Sequence, residues 1–71
     1  MTYQVTALYA NSEECGYGEG DSYEYAAQEC ADSVPDIYPA SDVVMVCTRN
    51  VNGCPVTVRT PLDLFRQFCH A

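Results

Sequence analysis

Five cysteines (Cys15, Cys30, Cys47, Cys54 and Cys69) and a single histidine, His70, are the side chains of this 71-residue sequence suited to covalent or metal chemistry. Structural zinc sites bring their ligands in close pairs, C-x2–4-C, so that one turn presents two thiolates. Here the nearest cysteines, Cys47 and Cys54, have six residues between them, while Cys69 and His70 are adjacent and would point to different sides of a helix. Catalysis by a thiol needs a thiolate with a base beside it. His70 is the penultimate residue, where chain ends fray, and Glu13 and Glu14 beside Cys15 favour its protonated form. No C-x-x-C pair occurs. These spacings assign no catalytic residue, no metal-ligand set and no cofactor. An odd number of cysteines cannot all pair within one chain. The favoured reading is a set of thiols in a reducing compartment, mostly as small buried side chains. A thiol-based module, zinc-binding or disulfide-stabilised, stands as the alternative.

The second set of reactive groups is acidic. Residues 11–22 are rich in glycine and carboxylate but lack the calcium-loop pattern of alternating Asp/Asn before a glycine and a distal Glu. A divalent-cation site from Glu13, Glu14, Glu19 and Asp21 would be unspecific. The run Gly16-Tyr17-Gly18-Glu19-Gly20 has no following lysine, and its carboxylate would repel phosphate. What remains is an acidic, tyrosine-bearing surface. Glu13, Glu14, Tyr17, Glu19 and Asp21 lead into Glu24, Tyr25, Glu29 and Asp32 on the outer face of a helix. Ten carboxylates against three arginines and no lysine leave a net charge of −7. Such a field repels nucleic acid and anionic membranes and attracts a basic protein surface. A solvated helix face would account for the acids alone. The absence of interspersed lysine and the recurrence of tyrosine, a residue favoured at interfaces, favour binding.

The elements that must position these groups follow from periodicity. Seventy-one residues make one domain, and 48% apolar against 18% charged composition predicts that it folds. Residues 3–9 alternate Tyr3, Val5, Ala7 and Tyr9 against Gln4, Thr6 and Leu8, the pattern of a strand. Residues 11–22 read as an exposed loop, with at most a short extended piece around Tyr17. Asp21 or Ser22 caps a helix whose stripe is Tyr23, Ala26, Ala27, Cys30, Ala31 and Val34, and Val34-Pro35 ends it. Residues 43–48 and 54–60 form a hairpin about Asn52-Gly53, a type I′ turn signal. Val51 opposite Cys54 puts Val43, Met45, Cys47, Val51, Cys54, Val56 and Val58 on one face and Val44, Thr48, Asn50, Thr57 and Arg59 on the other. Thr60-Pro61 opens a last helix whose apolar side is Leu62, Leu64, Phe65, Phe68 and Cys69.

The predicted fold is therefore α+β with the order β-α-β-β-α. A right-handed crossover sets the first strand parallel to the second, and the third lies between them in a three-stranded sheet with both helices on one face. No stretch approaches the ~20 apolar residues of a membrane span. The N-terminus lacks the charged and apolar regions of a signal peptide, which predicts the cytoplasm.

In length, charge, element order and the acidic segment from Glu13 to Asp32, the chain resembles small acidic phage-encoded inhibitors, of which the anti-CRISPR proteins are the best-known group. The resemblance is to a class and carries no specific motif. It implies a stoichiometric inhibitor in the host cytoplasm, occupying the nucleic-acid-binding surface of a CRISPR effector or another host complex. Its carboxylates would stand where phosphates otherwise bind. Contact with nucleic acid or membrane is not expected. A small structural phage component is a further reading, and it predicts self-association.

Overall fold

The computed structural model describes residues 2–69, with the backbone alone at residues 49–51, 68 and 69. His70, weighed above as a ligand, lies outside the described residues. So do the side chains of Val51, Phe68 and Cys69, which the periodicity assigns to apolar faces.

Strand β1 spans Tyr3–Tyr9 and alternates as its sequence predicts: Val5 and Ala7 are buried, and Tyr3 and Tyr9 half-buried beside them. A three-residue reversal, Ala10–Ser12, follows, with Asn11 at φ 63° and Ser12 at φ 61° in the left-handed region. Asparagine tolerates that conformation. The chain then runs back along β1 as strand β2, Glu13–Gly20. This corrects the expected loop and adds a fourth strand to the sheet.

The physical reason lies in the glycines. Gly16, Gly18 and Gly20 recur at the two-residue period of a strand and all face the helix α1, Tyr23–Ser33. A β-carbon at Gly18 would collide with the backbone of Ala26 and Cys30, and one at Gly16 would lie 2.6 Å from Val34 Cγ2. These glycines remove side chains so that α1, through Ala26, Ala27 and Cys30, can sit directly on the β2 backbone. Helix α1 is capped by Ser22 rather than Asp21, the Ser22 hydroxyl accepting from the Tyr25 N–H at 3.2 Å. It ends at Val34, which is extended, ahead of Pro35 as expected.

Strands β3 (Val44–Val51) and β4 (Cys54–Pro61) form the predicted hairpin. Val51 faces Cys54 across Asn52 (φ 52°) and Gly53 (φ 83°), the two positive angles of a type I′ turn. The sheet order is β2-β1-β3-β4, and every neighbouring pair is antiparallel. The expected order, with the second hairpin arm next to Tyr3–Tyr9, is overturned: β3 pairs with β1 directly, through Val5↔Cys47 and Ala7↔Met45. The crossover through α1 still joins two parallel strands, but these are β2 and β3, on either side of β1. Because β2 reverses the chain before the helix begins, β1 and β3 are antiparallel.

The last helix, α2, spans Leu62–Cys69. Thr60 and Pro61 do not open it. They finish β4, opposite Met45 and Val44, on an edge strand where proline is tolerated. The core comprises Val5, Ala7, Val43, Met45 and Cys47 from the sheet side, Ala26, Ala27, Cys30, Ala31 and Val34 from α1 and its cap, and Leu62 from α2. Phe65 packs against the same cluster, so both helices serve one face, as predicted.

The far end of the hairpin departs from expectation. Cys54 is exposed and Val56 is 39% exposed, although both lie on the predicted core face. Parity is as expected, but α1 lies over β2 and β1 and barely reaches β3, leaving the outer hairpin uncovered.

Candidate functional site

The nine residues of the predicted acidic surface do not share one face. Residues paired across an antiparallel ladder point to the same side. Leu8↔Glu14, Thr6↔Tyr17 and Gln4↔Glu19 therefore place Glu14, Tyr17 and Glu19 on the side of the sheet away from the helices. Glu24, Tyr25, Glu29 and Asp32 are exposed on the outer face of α1, one layer away on the other side. Glu13 sits at the start of β2 opposite Tyr9, and Asp21 in the two-residue link from β2 to α1. The acids thus form two patches that meet around the free edge of β2.

Each patch is built on a tyrosine beside a carboxylate. On the sheet, the Tyr17 hydroxyl donates to Glu19 Oε1 at 2.7 Å, while its backbone N–H donates to Ser33 Oγ of α1 at 2.8 Å. That second bond occupies an outward-facing donor of an edge strand, a group that otherwise invites strand pairing. The hydrogen bond to Glu19 also raises the Tyr17 phenol above its ordinary pKa, helped by burial and by the carboxylate's charge. On the helix, the Tyr25 ring lies against Gly20. Its phenol is raised in turn by hydrogen bonding to Glu29, one turn on, and by that residue's charge. Gln28 Nε2 donates to Asp32 Oδ1 at 2.9 Å. Both phenols are oriented toward carboxylates, whose remaining lone pairs stay free for guanidinium or ammonium donors.

The cysteines are distributed through the fold. Cys15 is the extra residue of a β-bulge where the β1–β2 register shifts, and it packs at the margin of the core. Its thiol is raised by burial first and by Glu13 second. Glu14, expected to act with Glu13, points from the other face of the sheet. Cys30 is fully buried, and that burial, with a smaller contribution from Cys15, pushes its thiol up to about 11. Cys47 is buried under the sheet, and Cys54 is exposed on the hairpin. Among the described residues, no three His, Cys, Asp or Glu side chains gather where a metal ion could be held. No helix among them is long and apolar enough to cross a membrane.

Sequence reasoning passed over the other content of the open sheet face. Leu8, Val44, Val46 and Pro61 lie there half-buried with no layer over them among the described residues, and Arg59 stands exposed in the same cross-strand row as Val46, Thr6 and Tyr17. The signal was the unbroken run Val43-Val44-Met45-Val46, which makes both faces of β3 apolar, together with Leu8 interrupting the polar side of β1. Neither the sequence nor the fold matches a protein family, a characterised protein or a solved structure.

Proposed function

We propose that this chain is a non-catalytic binding module that docks its acidic helix face on a basic protein surface. One observation carries the reading: the outer face of α1 presents Glu24, Tyr25, Glu29 and Asp32, all exposed, with no cation among them. Carboxylates fixed on a helix offer acceptors to arginine and lysine, the groups that nucleic-acid-binding proteins use for phosphates. In its most specific form the reading is anti-CRISPR-like: the chain occludes the nucleic-acid-binding surface of a host complex such as a CRISPR effector. Length, charge and the acidic segment from Glu13 to Asp32 support that form. The element order no longer does, since the extra strand makes it β-β-α-β-β-α.

The test is capture from a bacterial lysate at low salt, followed by elution at high salt, since attraction between exposed charges is screened beyond a Debye length of ~10 Å at 0.1 M. Glu24→Lys, Glu29→Lys and Asp32→Lys combined should keep the circular dichroism spectrum and lose the captured partner. The same partner retained at the same salt would remove the helix face from the interface. In the specific form, the chain should block DNA binding by a purified CRISPR effector, and the triple variant should not.

A further inference from the structure

We propose that the open face of the sheet is a homodimer interface, closed by a second copy of this chain across a two-fold axis running along the strands. The face is polarised across the strands. Its middle strands, β1 and β3, carry Leu8, Val44 and Val46, half-buried with no covering layer among the described residues, interspersed with Gln4, Thr6 and Thr48. One margin, β2, carries Glu14 and the Tyr17–Glu19 pair, the latter joined at 2.7 Å. The opposite margin, β4, carries Arg59.

Two faces of one kind can stack about an in-plane axis either along or across the strands. An axis across the strands lays β2 on β2 and β4 on β4, opposing carboxylate to carboxylate and guanidinium to guanidinium. An axis along the strands, between β1 and β3, lays β4 of the second copy on β2 and β3 on β1. Row positions are then preserved. Tyr17, Val46 and Arg59 share one row through Thr6↔Tyr17, Thr6↔Val46 and Val46↔Arg59. Arg59 of the second copy therefore lands over the Tyr17 ring, against the Glu19 carboxylate that Tyr17 holds, and Leu8 meets Val44. The contact is self-complementary, as an isologous interface requires, and occurs twice by symmetry. Sheets stack in this way about 10 Å apart with apolar inner faces. The acidic helix faces end up on the far sides of the pair, free for the binding proposed above, which does not depend on this dimer.

Four strands ~4.8 Å apart and at most eight residues long give a face of no more than roughly 20 by 26 Å, at most about 500 Å² in projection. That is below the ~800 Å² per partner of a standard interface, so a weak, reversible dimer is expected.

Sedimentation equilibrium on the full chain at ~0.15 M salt, where the Debye length is ~8 Å, should show a concentration-dependent monomer–dimer equilibrium. Arg59→Glu and Glu19→Arg, both at exposed positions, should each keep the circular dichroism spectrum and weaken dimerisation at least ~tenfold, because each places two like-charge pairs in its own dimer. Mixed together, the two variants should form a heterodimer about as tight as the unmodified homodimer, since both contacts again join opposite charges. A chain that stays monomeric to about millimolar concentration, ~4 kcal/mol of association, would overturn the proposal. So would a dimer indifferent to both reversals, or two variants that fail to associate on mixing.

Discussion

Strand β2 and the outer half of the β3–β4 hairpin exchange the roles their compositions suggest. The first, Glu-Glu-Cys-Gly-Tyr-Gly-Glu-Gly, has no aliphatic side chain, yet Gly18 is buried and the strand carries most of the α1 contact. The second has valine or cysteine at three of its four alternate positions (Val51, Cys54 and Val56, with Arg49 the fourth), yet Cys54 and Val56 are exposed. Burial here is decided by where the helix lands, and the helix lands where the backbone lets it come closest. A glycine ridge under an alanine-rich helix buries backbone and small side chains in dense packing. A helix of eleven residues seated on that ridge does not also cover the outer hairpin.

The sharpest way to break this comparison is to give β2 a side chain. Gly18→Val places its β-carbon in the backbone of Ala26 and Cys30, neither of which can yield without moving the helix. Overpacking usually costs ~1–3 kcal/mol, and a backbone collision lies at or above the top of that range. For a chain of this size, whose whole stability is on the order of 4–10 kcal/mol, the expected result is loss of a cooperative urea transition. Val56→Thr, which keeps the β-branch at a 39% exposed site, should change stability by no more than about 0.5 kcal/mol. Equal effects of the two substitutions would show that β2 does not carry the helix.

The same contrast explains what the sequence made legible. The β1 alternation, the α1 stripe and its stop at Val34-Pro35, and the Asn52-Gly53 turn were readable because each is a local pattern with a local cause. The β2 strand was not, because strand propensity attaches to side chains that pack, and β2 packs through the absence of side chains. Its period-two glycines were visible all the same. Alternating Gly-x-Gly-x-Gly ahead of a helix striped with Ala26, Ala27, Cys30 and Ala31 is a helix-on-strand signature once close approach is considered along with flexibility. Missing β2 misplaced everything that depended on strand count: the sheet order, the direction of β1 relative to β3, and the element that carries Glu13, Glu14, Tyr17 and Glu19, which is a strand and not a loop. The capping role given to Thr60 failed for another reason. Its hydroxyl is engaged by Tyr23 at 2.7 Å, and the ladder holds it opposite Met45.

A second and smaller difference between the regions should appear in their thiols. Cys54 on the bare hairpin should label rapidly in folded protein, and Cys30 beneath α1 only on unfolding. The Cys30 thiol, ordinarily near 9.0, is pushed up to about 11 in the native state. Between those values the native chain keeps a proton that the unfolded chain has lost. Stability from this group is therefore full below about pH 9 and declines as pH rises toward 11. Urea unfolding across that interval should show a falling free energy whose slope is reduced in Cys30→Ala, beyond the constant cost of the cavity. Rapid native labelling of Cys30, or an unchanged slope in the variant, would show that the helix does not seal this position.

The smallest effect tests the one described side-chain hydrogen bond that ties the glycine-packed helix to the hairpin. Tyr23 stands at the first position of α1, and its hydroxyl lies 2.7 Å from Thr60 Oγ1 in a partly buried setting. Tyr23→Phe removes one partner and leaves the other half-desolvated, which should cost about 1 kcal/mol, the usual net value of such a bond. Thr60→Val removes the other at similar cost while keeping the β-branch that suits β4. If the bond is the reason for both losses, the double variant should lose little more than either single one, a coupling of ~0.5–1 kcal/mol. Additive losses would mean that each hydroxyl is satisfied by water. The helix and the hairpin would then be joined by Met45, Cys47 and Leu62 in the core, and the contrast between the two regions would be one of packing alone.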